Sequence, residues 1–133
     1  MHPLAIASYL LLLYSGFVNE GFAENWTTQA RKGVLELAVL NAIRDERLYG
    51  YEIVKRLRRV RGLVISEGTI YPIMSRLQRE RLVESSLEPS PEGPARKYYS
   101  LTPVGEATLE RMNAIWAAMT GGVEELRGDD SAD

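Results

Sequence analysis

The stretch "SEGTIYPIMSRL", residues 66–77, gathers the most chemically suggestive side chains in the sequence. Ser66 is a good helix N-cap, Gly68 permits close backbone approach, and Thr69, Tyr71 and Ser75 carry hydroxyls. This set is suited to hydrogen bonding rather than to bond-making. A helix opening in this way offers free N–H groups and a partial positive charge to an anion such as a backbone phosphate. Tyr71 adds both a hydroxyl and a flat apolar face. Ile65, just before the cap, can staple onto Ile70, and Ile70, Ile73, Met74 and Leu77 form an expected buried stripe. That leaves Thr69, Ser75, Arg76 and Arg79 outward, with Tyr71 and Pro72 at the edge. Pro72 lacks an N–H and crowds the carbonyl of Gly68, which predicts irregular first turns. Glu67 is discordant, because a carboxylate beside phosphate costs energy.

Other chemistries have little to work with. The 133 residues contain no cysteine and one histidine, His2. Disulfides, thiolate zinc sites and thiol nucleophiles are therefore excluded, and imidazole acid–base chemistry has almost no residues to use. No GxSxG, P-loop or GxGxxG pattern is present, and no carboxylates form a recognisable spaced pair. No metal site and no cofactor are expected, and an enzyme is the weakest of the functional readings.

Length and composition fit one modest domain, or one domain with tails, with 45% hydrophobic and 26% charged residues. The net charge of −2 conceals an asymmetry. Residues 1–30 carry −2, residues 31–104 carry +5 from 14 Lys/Arg against nine acids, and residues 105–133 carry −5. A basic middle with an acidic end is what a phosphate-facing segment requires, although a solvated basic surface would look the same.

The helix of residues 66–77 must be positioned by its neighbours. "RKGVLELAVLNAIRDE" places Leu35, Ala38, Val39, Ala42 and Ile43 at amphipathic-helix spacing, and Gly50 in "LYGY" supplies a break. "YEIVKRLRRV" reads as a second helix, with Ile53, Val54, Leu57 and Val60 on one side and Lys55, Arg56, Arg58 and Arg59 on the other, stopped by Gly62. After the third helix, "LVESSL" and "KYYSL" alternate as strands around a Pro/Gly loop, "EPSPEGPAR", giving a hairpin with a long tip. Arg96 and Lys97 lie where that tip returns to the strand. Tyr98 and Tyr99 read first as packing residues.

Thr102-Pro103 is a strong helix start. The last helix carries Leu109, Met112, Trp116, Met119, Val123 and Leu126 in a heptad seam. Gly121-Gly122 predicts fraying beyond Thr120, with an acidic disordered tail after it. A second line, in which Ile115 and Ala118 could pack on the domain itself, leaves the seam for a partner and favours dimerisation. The fold expected is mainly α with a small β-hairpin: a winged helix-turn-helix plus a C-terminal dimerisation helix. In that design the third helix enters the major groove of duplex DNA.

Four blocks, "GVLELAVLNAI", "YGYEIVKRL", "SEGTIYPIMSRLQRERLV" and "RKYYSLTPVGEATL", resemble the PadR family of bacterial transcriptional regulators, over roughly residues 30–123 and in family order. The single C-terminal helix resembles the family's smaller subgroup. The resemblance implies a cytoplasmic homodimer, usually a repressor, on a pseudo-palindromic operator of double-stranded DNA. It implies that Thr69, Tyr71 and their neighbours address the major groove, and that Arg96 and Lys97 of the wing hold phosphate or the adjacent minor groove. The expected DNA-facing set is Tyr51, Ser66, Gly68, Thr69, Tyr71, Ser75, Arg76, Arg96 and Lys97. The expected dimer and ligand set is Leu109, Met112, Trp116, Met119 and Val123. Some family members release DNA on binding a small aromatic or phenolic effector near the dimer seam. Trp116 stands where such ligands stack, although a plain dimer-core aromatic reads at least as well.

Residues 26–102 are expected to form the winged-helix domain, 103–126 the dimerisation helix and 127–133 the tail. Residues 1–25 read as an extension outside the folded domain. Their apolar run at 4–13 is too short for a stable membrane span, which needs about 20 residues. A misplaced start is the favoured reading, with a signal-like segment or anchor and an extra packed helix as the alternatives; the absence of Lys or Arg before the run argues against a signal. The alternative function is a winged-helix protein-interaction module without DNA binding, against which the basic outward set Arg76, Arg79, Arg96 and Lys97 argues.

Overall fold

The computed structural model describes residues 3, 5–7 and 15–128. His2, most of the apolar run at 4–13, and the acidic residues from 129 onward lie outside the described residues. Two compact units are present, Met1–Lys32 and Gly33–Asp133.

A 3-10 turn at Ser15–Phe17 precedes helix α1, Glu20–Ala42, of which the part to Lys32 belongs to the first unit and the remainder to the second. Asn19 caps it: its side-chain oxygen accepts from the Phe22 N–H at 3.0 Å, and its carbonyl accepts from Ala23. The helix thus starts well before the expected Arg31, at a cap that lies outside the apolar-periodic window.

The second unit holds the rest of the fold. β1 (Leu48–Tyr49), α2 (Gly50–Leu57), α3 (Glu67–Arg79), β2 (Val83–Ser90), β3 (Gly93–Leu101) and α4 (Pro103–Leu126) follow in order. The sheet is antiparallel with order β1-β3-β2, so the expected hairpin gains a short third strand. The core joins Val39 and Leu40 of α1, and Ile43 in the turn after it, to Ile53 and Val54 of α2, to Ile70 and Met74 of α3, and to Leu109 of α4. Along α1 and into the turn after it the buried residues are Leu37, Val39, Leu40 and Ile43, rotated from the expected stripe so that Leu35 and Ala38 are only partly covered. α2 ends at Leu57, earlier than expected, and Val60 in the following turn is exposed.

The sequence expectation of a long loop between the strands is corrected. β2 and β3 run through it and leave only Pro91 and Glu92 as the tip, flanked by the Ser90–Gly93 pair. Prolines are tolerated there because Pro89 falls at a register irregularity and β2 is an edge strand. Pro72 does not break α3, which is helical throughout. The lost bond is to the Gly68 carbonyl, at an exposed first turn where water can replace it. α4 likewise stays helical through Gly121-Gly122. The glycine penalty of about 1 kcal/mol each is carried by a 24-residue helix, and the Thr120 hydroxyl bonds back to the Trp116 carbonyl at 2.9 Å.

α3 closes on a left-handed residue, Arg81 (φ 60°). The Leu82 N–H reaches the Leu77 carbonyl and the Arg81 N–H that of Gln78, the paired bonds of a Schellman stop. Thr102 then ties three segments together. Its N–H donates to Leu82, its hydroxyl donates to the Arg81 carbonyl at 2.7 Å, and the same oxygen accepts from Gly105 N–H at 2.9 Å. Gly105 is required there: a Cβ would lie 1.9 Å from the Leu82 carbonyl oxygen.

Candidate nucleic-acid interface

α3 buries Ile70, Met74 and Leu77 and half-buries Ile73, so its opposite face is fixed outward. Ser66, Glu67, Gly68, Thr69, Tyr71, Ser75, Arg76 and Arg79 are all exposed. Ser66 occupies the N-cap position, but its hydroxyl caps no N–H. It lies 3.1 Å from the Thr69 hydroxyl, while its carbonyl accepts from Thr69 and Ile70. Helix geometry leaves the N–H groups of Glu67 and Gly68 without intrahelical acceptors. Among the described residues, the Ser66 side-chain oxygen stands 3.8 Å from a would-be Cβ on the open side of Gly68. The front of α3 is therefore a solvent-facing row of hydroxyls and free backbone donors.

Tyr71 is half-exposed and held from behind by Gly50. A Cβ at Gly50 would stand 3.1 Å from the Tyr71 hydroxyl and 3.3 Å from two ring carbons. Gly50 is thus not a break, as its sequence context suggests, but the first residue of α2 and the seat of Tyr71. Burial, and secondarily the nearby Tyr71, raise the Tyr99 hydroxyl above its ordinary range.

The wing positions its cations by strand alternation. Arg96 pairs across from Glu88 and Lys97 across from Leu87, so these adjacent residues point to opposite faces of the hairpin. Tyr49 of β1, which registers with Tyr98 of β3, lies on the Arg96 face. The Arg96 guanidinium sits 4.5 Å from the Tyr49 ring centre. The Tyr49 ring meets Tyr98 edge-on at 5.5 Å and stacks with Tyr51 at 6.5 Å. Lys55, one helical turn beyond Tyr51, lies 5.6 Å from that ring. Arg47 pairs with Glu88 and lies 5.3 Å from the Tyr98 ring, fastening the loop before β1 to the wing.

Sequence reasoning passed over Tyr49 and Arg47. Lys55 carried a usable signal, because Tyr51 and Lys55 are four residues apart on one helix. The Tyr49–Arg96 contact spans the fold and left no local trace. Arg76, expected to face DNA, is exposed but ion-paired to Glu36, and Arg56 is paired to Glu46.

α4 behaves differently. Leu109 is buried and Met112 partly so, but Trp116, Met119, Val123 and Leu126 are 41, 56, 56 and 89% exposed. The packing on the domain comes from the first half of the seam itself, and not from Ile115 and Ala118, which are exposed. Asn41 and Asn113 fix the docking of α4 on α1 through two reciprocal amide bonds of 2.9 and 3.0 Å. Beside them Trp116, Leu37, Ala38, Leu57 and Val60 line an open, mainly apolar cavity of about 480 Å³. Among the described residues, no group of His, Cys, Asp or Glu could hold a metal ion, and no helix is long and apolar enough to cross a membrane.

The model of the transcriptional regulator PadR-like family matches residues 39–111. A PadR-like transcriptional regulator from Bacillus cereus is 41% identical, with a TM-score of 0.67, over 74% of this chain and 95% of its own. A transcriptional regulator of Mycobacterium tuberculosis is 32% identical over 79 residues, covering 59% of this chain and 72% of the relative. Bacillus subtilis PadR, solved in complex with operator DNA, is 27% identical with a TM-score of 0.53, over 59% of this chain and 46% of its own. The matched segment contains the cap of α3, the seat of Tyr71, the wing and the Thr102 joint together: the chain belongs to the PadR-like family of transcriptional regulators, a winged-helix regulator and not an enzyme.

Proposed function

We propose that the chain is a sequence-specific DNA-binding repressor, acting in the cytoplasm as a homodimer on a pseudo-palindromic operator. One observation carries this reading: the exposed hydroxyl-rich front of α3 lies in the same small unit as a cation-bearing wing, in a family whose Bacillus subtilis member was solved with operator DNA. Ser66, Gly68, Thr69, Tyr71 and Ser75 address the major groove. Arg76, Arg96 and Lys97 border it and meet phosphate or the minor-groove edge, with Tyr51 in the same border behind Lys55 and Arg76 weakened by its Glu36 partner.

Dimerisation through α4 is supported by the bare seam of Trp116, Met119 and Val123. Residues 26–102 then act as the reading domain and 103–126 as the dimer helix, with 1–25 and 127–133 outside both. The half-sites lie about 10 to 10.5 base pairs apart, or a multiple of that. The cavity beside Trp116 suits a small aromatic or phenolic effector whose binding releases DNA. Selection of bound sequences from a random duplex pool, together with light scattering of the free protein, tests the reading. An enriched inverted repeat and a dimer mass are expected. A monomer that enriches nothing at low salt would end it.

A further inference from the structure

The basic side chains around the wing are restrained in two different ways. Arg47, Arg56 and Arg76 each have a glutamate partner, in Glu88, Glu46 and Glu36. Arg96 and Lys55 have no carboxylate within 4.0 Å among the described residues, although Glu88 stands directly across the strand from Arg96. Arg47 has taken Glu88, and Arg96 lies instead on the Tyr49 ring. Lys55 lies on Tyr51, and the two rings stack at 28°. A carboxylate both holds a cation and cancels its charge. An aromatic face holds it through the ring quadrupole and leaves the charge whole.

We propose that Tyr49 and Tyr51 are positioning residues that hold Arg96 and Lys55 as a preorganised anchor for backbone phosphates of duplex DNA, at the corner where the wing meets the start of α2. The anchor adds Lys55 to the phosphate-contacting set and ranks Arg96 and Lys55 above the glutamate-paired Arg76. It deepens the DNA-binding reading above and rests on it. Restraint before binding reduces the side-chain entropy lost on contact, and both cations are exposed, so no rearrangement is needed to reach a phosphate.

The test is a salt series of full-chain binding to labelled random-sequence duplex, followed by fluorescence anisotropy. Arg96→Ala and Lys55→Ala should each lower the slope of log K against log salt by about one, and Arg76→Ala by clearly less. Tyr49→Leu and Tyr51→Leu should weaken binding about two- to fivefold without changing the slope. Tyr49→Phe and Tyr51→Phe, which keep the ring, should bind as the parent does. In the Arg96→Ala background Tyr49→Leu should have no further effect, nor should Tyr51→Leu in the Lys55→Ala background. Equal losses in both backgrounds would mean that the tyrosines act only through the fold, and a slope change for Arg76→Ala as large as for Arg96→Ala would remove the ranking. Either result overturns the proposal. If Tyr49→Leu does not fold, the Tyr51–Lys55 cycle on the exposed side of α2 decides alone. A parent chain that ignores duplex at low salt takes the DNA-binding reading down as well. A parent that binds while the cycles are additive loses only the anchor.

Discussion

α3 and α4 are both amphipathic, yet only α3 is complete within one chain. The apolar stripe of α3 is covered, with Ile70 and Met74 fully buried, and everything it exposes can hydrogen-bond or carries charge apart from the Pro72 ring. α4 starts the same way at Leu109, then shows progressively more apolar surface toward Leu126. A helix whose bare face is polar is ready for a polar ligand as it stands. One whose bare face is Trp, Met and Val is unfinished until another apolar surface meets it. On the function proposed above, the reading surface is built by a single protomer, while the assembly surface is left for a partner.

The comparison can be broken most violently at the joint the two helices share. Gly105→Ala places a carbon against the Leu82 carbonyl and should cost more than about 3 kcal/mol in chemical denaturation. A smaller loss would mean the joint is softer than its hydrogen bonds imply. Next in size, Met119→Asp with Val123→Asp should weaken self-association at least about a hundredfold by sedimentation, with helix content unchanged. Persistence of the parent's association state would show that α4 is not the assembly surface.

On the α3 side, Tyr71→Ala should lose about 1–3 kcal/mol of discrimination between a selected site and its single-base variants, whereas Arg96→Ala should weaken all sequences alike. Gly50→Ala sharpens the same point. The added methyl pushes on the Tyr71 ring and should cost up to about 1 kcal/mol of discrimination while the fold holds. It should have no effect once Tyr71 is alanine.

The smallest effect concerns Tyr99. Its folded-state value is raised, so the fold favours the neutral hydroxyl. Its contribution to stability is complete below the ordinary tyrosine value of 10.0 and fades as pH rises above it, because the unfolded chain ionises first. Denaturation midpoints taken across that window should fall less steeply for Tyr99→Phe.

Much of α3 was legible because its signals are local: a serine at the cap position, a stripe at helical spacing and hydroxyls between. The heptad of α4 was legible for the same reason, but which of its members the domain itself covers was not. That depends on where α1 lies, and two amides 72 positions apart, Asn41 and Asn113, fix it. β1 was invisible because two residues carry no period, and its strand character comes entirely from pairing with β3. The wing was read too short because three prolines in "EPSPEGP" look like loop, and nothing local shows that β2 is an edge strand. Partner choice was the least legible of all. The sequence near Arg96 offers no hint that Arg47 takes Glu88 and leaves Arg96 to a tyrosine.

The Thr102 joint has a mechanical consequence. β3 ends at Leu101 and α4 begins at Pro103, so there is no linker to absorb movement between them. A few degrees of tilt in the long helix would arrive undamped at the strand bearing Arg96 and Lys97, swinging the blade by an amount that grows toward its tip. Two such helices clasped together would then act as a stiff caliper, and whatever wedges the clasp would set the gap between its jaws.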